Sequence, residues 1–133
     1  MTRFCLCGMA LAVLPIQALS GTYACTAEDR GSGGWVAEQI FVQIDRQAGS
    51  ASAYDTFINQ RHNGPIAVTL EQNSATVFTL GWKLRNVETK EGGSNVLSQS
   101  LLLDTETGRF AVKGRLHGYN NVISGNGSCQ LMD

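Results

Sequence analysis

The side chains able to do chemistry are few: four cysteines, two histidines and a modest set of charged groups. Nucleophilic or general-base catalysis needs a serine, cysteine or histidine held against a partner. No Gly-x-Ser-x-Gly elbow surrounds a serine, and the sequence has no His-Glu-x-x-His pair and no acidic calcium loop. His62 falls in Gln60-Arg61-His62-Asn63-Gly64-Pro65 and His117 at the end of an alternating run, so both read as surface residues. Glu28 and Asp29 are adjacent and read as a solvated turn. A zinc site would have to combine Cys25 and Cys129 with His62 and His117, a poor set compared with a disulfide. Gly31-Ser32-Gly33-Gly34 leads into a strand-like run, not into a helix whose N-terminus would hold a phosphate. Asn126-Gly127-Ser128 matches a glycosylation acceptor in three residues only. The reading therefore assigns no catalytic residue, metal ligand or cofactor, and it expects a protein that binds rather than one that catalyses.

The chain has 133 residues, 43% hydrophobic and 16% charged, with a formal net charge of -1. That composition excludes a disordered tail, a collagen-like repeat and a strongly basic nucleic-acid binder. Residues 1–20 read as a cleaved secretory signal: Arg3 is the positive start, Phe4 to Ile16 the apolar stretch, and Ala18-Leu19-Ser20 the small-residue cleavage site. The apolar stretch is short for a membrane span, which needs about 20 residues, and Pro15 interrupts it. Residues 21–133 then form a single all-β domain without a membrane span, periplasmic or secreted. Cys5 and Cys7 leave with the signal, so Cys25 and Cys129 remain and read as a disulfide in an exported chain. Loss of Arg3 leaves nine basic against eleven acidic side chains, a mature charge of -2.

Beyond the signal, apolar residues alternate with polar ones in eight runs: 22–27, 35–45, 51–60, 66–72, 76–88, 96–103, 109–116 and 122–131. No run reads as a helix. Turn residues separate them, among them Asn63-Gly64-Pro65, Gly92-Gly93-Ser94-Asn95 and Asp104-Thr105-Glu106-Thr107-Gly108. Short links make consecutive strands antiparallel neighbours. The fold expected is a small antiparallel up-and-down β-barrel of about eight strands, with a two-sheet sandwich as the alternative. In a barrel the first and last strands pair, and Cys25–Cys129 would staple that seam. The expected core is Phe78, Leu80, Trp82 and Leu84, then Leu97, Leu101 and Leu103, then Phe110, Val112, Leu116 and Ile123. Trp35 and Trp82 read as space-filling residues. Gly125 and Gly127 share the face of Cys129 and leave room for a large neighbour. Glu38 falls on the apolar face between Val36 and Ile40, which calls for a bulge, a place at the barrel mouth or a buried partner; the mouth is the preferred reading.

If Phe78, Leu80, Trp82 and Leu84 face inward, Lys83 and Arg85 face out. The same alternation turns Lys113, Arg115 and His117 out beside Phe110, Val112 and Leu116. Hairpin lengths place Arg85, Ser100 and Lys113 in one cross-strand row, with Arg115 beside Ser98. Lys83, Arg85, Lys113, Arg115 and His117 thus form a positive stripe on a protein of slightly negative charge. The plain reading is a solvated face neutralised by Glu88 or Glu91. The functional reading is a docking surface for an envelope protein or an anionic polymer, weakened by salt.

Tyr23-Ala24-Cys25, Ser50-Ala51-Ser52-Ala53-Tyr54 and Cys129-Gln130-Leu131 resemble fragments of the bacterial periplasmic inhibitors of C-type lysozyme, which are small disulfide-linked β-barrels. The central fragment lacks the glycine and the basic residue that the family places between serine and tyrosine, so the inhibitory loop does not carry over. The functions expected, in order, are a binding module acting through its surface or loops, a carrier of a small apolar ligand inside the barrel, a hydrolase inhibitor and, last, an enzyme.

Overall fold

The structure is a computed structural model, described for residues 20–89, 92–119 and 122–132. The expected signal segment, residues 1–20, therefore lies outside the described residues except for Ser20. Eight strands follow in order: β1 (Ser20–Asp29), β2 (Gln39–Asp45), β3 (Ser50–Tyr54), β4 (Ile66–Gln72), β5 (Val77–Glu88), β6 (Ser94–Asp104), β7 (Arg109–Leu116) and β8 (Val122–Met132), with one helix, α1 (Thr56–His62), between β3 and β4. Each strand pairs antiparallel with the next, and β8 pairs with β1, closing an up-and-down barrel. Closure leaves no continuous free sheet edge. Cys25 and Cys129 lie directly opposite each other in the β1–β8 ladder and form the disulfide, so the staple sits on the closing seam.

The interior is built by alternation. On β5 the residues Phe78, Leu80, Trp82 and Leu84 are buried while Lys83 and Arg85 are exposed. Every residue expected in the core is buried. One polar side chain joins them: Gln99 faces inward between Leu97 and Leu101, accepts a hydrogen bond from Trp82 Nε1 (3.1 Å) and donates Nε2 to the Trp35 carbonyl (3.1 Å). A buried amide is tolerated because both its ends are satisfied. Trp82 is thus more than filler, since its indole N–H anchors Gln99, and through Gln99 the loop carrying Trp35.

That loop, residues 30–38, lies with α1 at one end of the barrel, where Trp35 packs against Phe57 with ring centroids 5.7 Å apart. At the other end Arg46 lies over the Phe78 ring, 4.8 Å from its centroid. Glu38 belongs to the loop end. Val36 and Ala37 are both buried, so the alternation breaks there, Glu38 turns to solvent and β2 starts only at Gln39. The Glu38 carbonyl accepts from the Ala27 amide (2.9 Å), extending the β1–β2 contact past the strand. Gly125 and Gly127 do make room for close neighbours, but these are Val36 and the β1 backbone rather than a large side chain.

The run expected to be extended over 51–60 stops at Tyr54 and turns into α1. Asp55 caps the helix, its Oδ1 accepting from the Ile58 amide (2.8 Å), and Asn63 ends it in the left-handed conformation at φ 56°. Seven residues are too few for a helical period to stand out against strand-like alternation. Ile58 is its buried anchor.

Asp55 is 2% exposed, and its Oδ2 has no hydrogen-bond partner. Burial pushes its carboxyl above the ordinary carboxylate value, more than the Ile58 and Phe57 amides lower it. At pH values between the ordinary carboxylate value and the raised native one, the native state therefore holds more of this proton than the unfolded chain does. Its contribution to stability declines as pH rises from the ordinary value of 3.8 toward the raised native value. Asp55→Asn keeps the cap without the charge. Its melting temperature should exceed that of the parent at neutral pH, and the gap should close on acidification. A gap that stays constant with pH would contradict this. Asp55→Ala should be less stable than Asp55→Asn by about 1 kcal/mol at any pH through the missing cap.

Candidate functional site

The basic stripe is built on three neighbouring strands of the barrel, β5, β6 and β7. In β5 Lys83 and Arg85 flank buried Leu84, and in β7 Lys113 and Arg115 flank buried Gly114. All four, together with His117, are exposed. β6 lies between, and turns Ser98 and Ser100 outward among Leu97, Gln99 and Leu101.

The register brings these residues together differently from the sequence estimate. Lys83, Ser98 and Arg115 form one cross-strand row, and Gly81, Ser100 and Lys113 form the next. The expected pairs of Ser100 with Lys113 and of Ser98 with Arg115 are present. Arg85 is not opposite Ser100. The β5–β6 hairpin pairs out to Glu88 and Ser94, so its turn is tighter than the glycine-rich stretch implied, and the ladder slips between Leu84 and Val87. Asn86 takes the left-handed conformation at φ 58° inside that slip. Arg85 therefore sits at the loop end of the stripe, beyond Lys83.

His117 continues β7 by one step, its amide donating to the Val96 carbonyl (2.9 Å). Its Nε2 lies 3.0 Å from Ser98 Oγ, which draws the ring toward the Lys83–Arg115 row. Ser98, Ser100, Lys113, Gly114, Arg115 and Val122 are among the residues lining a shallow depression of about 270 Å³. These residues belong to β6, β7 and β8, so the depression lies on the β7 side of β6; Ser98 and Ser100 are small, and Gly81 on β5 leaves their row without a bulky side chain on the other side.

Electrostatically the stripe contrasts with the rest of the barrel. Arg109, at the far end of β7, is paired with Glu28 at 3.1 Å. Lys83, Arg85, Lys113 and Arg115 have neither a carboxylate nor a hydrogen-bond partner among the described residues. Glu88, the first acid expected to neutralise them, lines a separate cleft with Arg61, Trp35 and Phe57 under α1. Glu91 lies outside the described residues. Strands two apart are separated by about 9–10 Å, and alternate residues on one strand by about 6.7 Å. Lys83 and Arg115, which share a row, thus lie about one Debye length apart in physiological salt, and Arg85 and Lys113, at opposite corners, about twice that. An anion placed over the strip would feel all four.

His62 ends α1 and is exposed, far along the chain from the stripe. The segment Ser50-Ala51-Ser52-Ala53-Tyr54 is β3, paired with β2 on one side and β4 on the other, so it is a strand and not a loop. Sequence reasoning passed over Gln99 and Asp55. The sign of Gln99 was its place in the Leu97-x-Gln99-x-Leu101 alternation, and that of Asp55 its position ahead of Thr56-Phe57-Ile58 with Asn63 and Pro65 downstream. Comparison with known proteins finds no family model, no curated protein and no solved structure that matches this chain.

Proposed function

We propose that the protein is an exported, non-enzymatic binding module that docks an anionic partner on the outer face of β5, β6 and β7. The observation that carries this reading is the set of four exposed cations, Lys83, Arg85, Lys113 and Arg115, with no acidic partner among the described residues. They gather on one face of a chain whose net charge is negative. Export to the periplasm or the exterior is supported by the signal-like residues 1–20 and by the disulfide. The alternative of an apolar ligand carried inside the barrel is less well supported, because side chains such as Phe78, Leu80, Trp82 and Leu101 fill that space.

The test is binding to immobilised polyphosphate, compared between the parent and Lys83→Ser with Arg115→Ser. Both positions face solvent, so the variant should melt with the parent. The parent should bind at low ionic strength and release as salt rises. The variant should lose about 1 kcal/mol, several-fold in affinity, from two exposed ion pairs. Equal, salt-independent retention of both proteins would end the proposal.

A further inference from the structure

We propose that the occupant of this face is an extended acidic peptide segment of a partner protein, laid along β6 between two rails of cations. The proposal rests on the docking reading above and adds the shape and chemistry of the ligand. One rail is Lys83 and Arg85 on β5; the other is Lys113 and Arg115 on β7, with His117 one step past its end. The floor between them is low, formed by Ser98 and Ser100.

Three features favour an extended chain. Successive cations on each rail are two residues apart on a strand, about 6.7 Å, and alternate side chains of an extended peptide repeat at that same distance. The match therefore persists along the ligand instead of drifting out of step. The rails are about 9–10 Å apart, two strand spacings, so a chain lying flat over β6 sends successive side chains alternately to β5 and β7. A run of neighbouring carboxylates then meets both rails, and the long lysine and arginine stems take up the half-step between them. Ser98 and Ser100, each able to donate and accept, lie under the peptide backbone.

Other polyanions fit less well. An α-helix with its side chains is about 10–12 Å across and is too wide to settle between the rails. A phosphate polymer carries its charge along a single line and meets the two rails only from between them, with no left–right alternation to bring successive charges up to each.

The experiment measures affinity of the disulfide-bonded protein for three probes matched in total charge. One is a peptide with an unbroken run of glutamates, the second a helix-forming peptide with glutamates at every fourth position, and the third polyphosphate. The glutamate run should bind about three- to tenfold tighter than either other probe, the gain from two or three additional exposed ion pairs. Lys83→Ser and Lys113→Ser should each weaken the run, because they lie on different rails. If polyphosphate or the helical peptide binds as tightly as the run, the extended-peptide proposal is wrong while the anionic docking reading stands. If Lys113→Ser weakens the run and Lys83→Ser does not, the two-rail geometry is wrong. If none of the three binds, both readings fall.

Discussion

Opening the Cys25–Cys129 disulfide will lower the stability of the protein by about 2–5 kcal/mol and leave its strand content nearly unchanged. The two cysteines are 104 residues apart in sequence. Cross-linking so long a loop removes much of the conformational freedom of the unfolded chain, and chain-entropy models put a loop of that order at about 4–5 kcal/mol. In the native barrel the same bond contributes less to shape. The residues around it on β1 and β8 are already paired, from Thr22 opposite Met132 to Ala27 opposite Gly127. Reduction, or Cys25→Ala with Cys129→Ala, should therefore move the urea midpoint and melting temperature down sharply with little change in the far-ultraviolet circular dichroism of the folded protein. An unchanged midpoint would mean that other contacts hold the seam.

Gly127→Ala should destabilise by about 3 kcal/mol, at the upper end of the usual range for overpacking. A β-carbon at Gly127 would run into the Thr26 carbonyl oxygen and stand 2.9 Å from both Ala27 Cα and the Glu28 amide nitrogen. All three obstacles are backbone, so no rotamer change relieves them. β1 would have to move off β8 where its register already slips between Ala27 and Asp29. Asn126→Ala, one residue away and facing solvent, is the control and should stay within about 0.5 kcal/mol of the parent. Chemical denaturation of the two variants side by side checks the prediction, and equal stability would contradict the close approach of β1 and β8.

The strands were legible because a two-residue period is strong wherever one face is buried. Phe78 to Leu84 and Phe110 to Leu116 show it without interruption, and from it came the barrel, the core and the outward direction of Lys83, Arg85, Lys113, Arg115 and His117. The cysteines marked the seam because an up-and-down barrel must bring its first and last strands together. What failed were features set by tertiary packing. Helix α1 is two turns long and rests on the buried Ile58 and the Asp55 cap, neither of which alters the local hydrophobic pattern. Glu38 looked core-facing only because the strand was begun too early, before the loop had buried Val36 and Ala37 together. The cross-strand row at the site was misjudged for Arg85 because register depends on how tightly a hairpin closes and on the slip at Asn86, and residue types alone do not locate either. Direction was thus readable from the sequence, and the pairing of the cations across β6 was not.

Docking of anions on the face formed by β5, β6 and β7 can be read residue by residue from the backbone amide NMR of the oxidised protein, titrated with the glutamate-run peptide at low ionic strength. Shifts should concentrate at Lys83 and Arg85, at Ser98 and Ser100, and from Lys113 through His117, and should fade as salt is added. Shifts confined to β2 and β3, or to the Trp35–Phe57 end of the barrel, would contradict it.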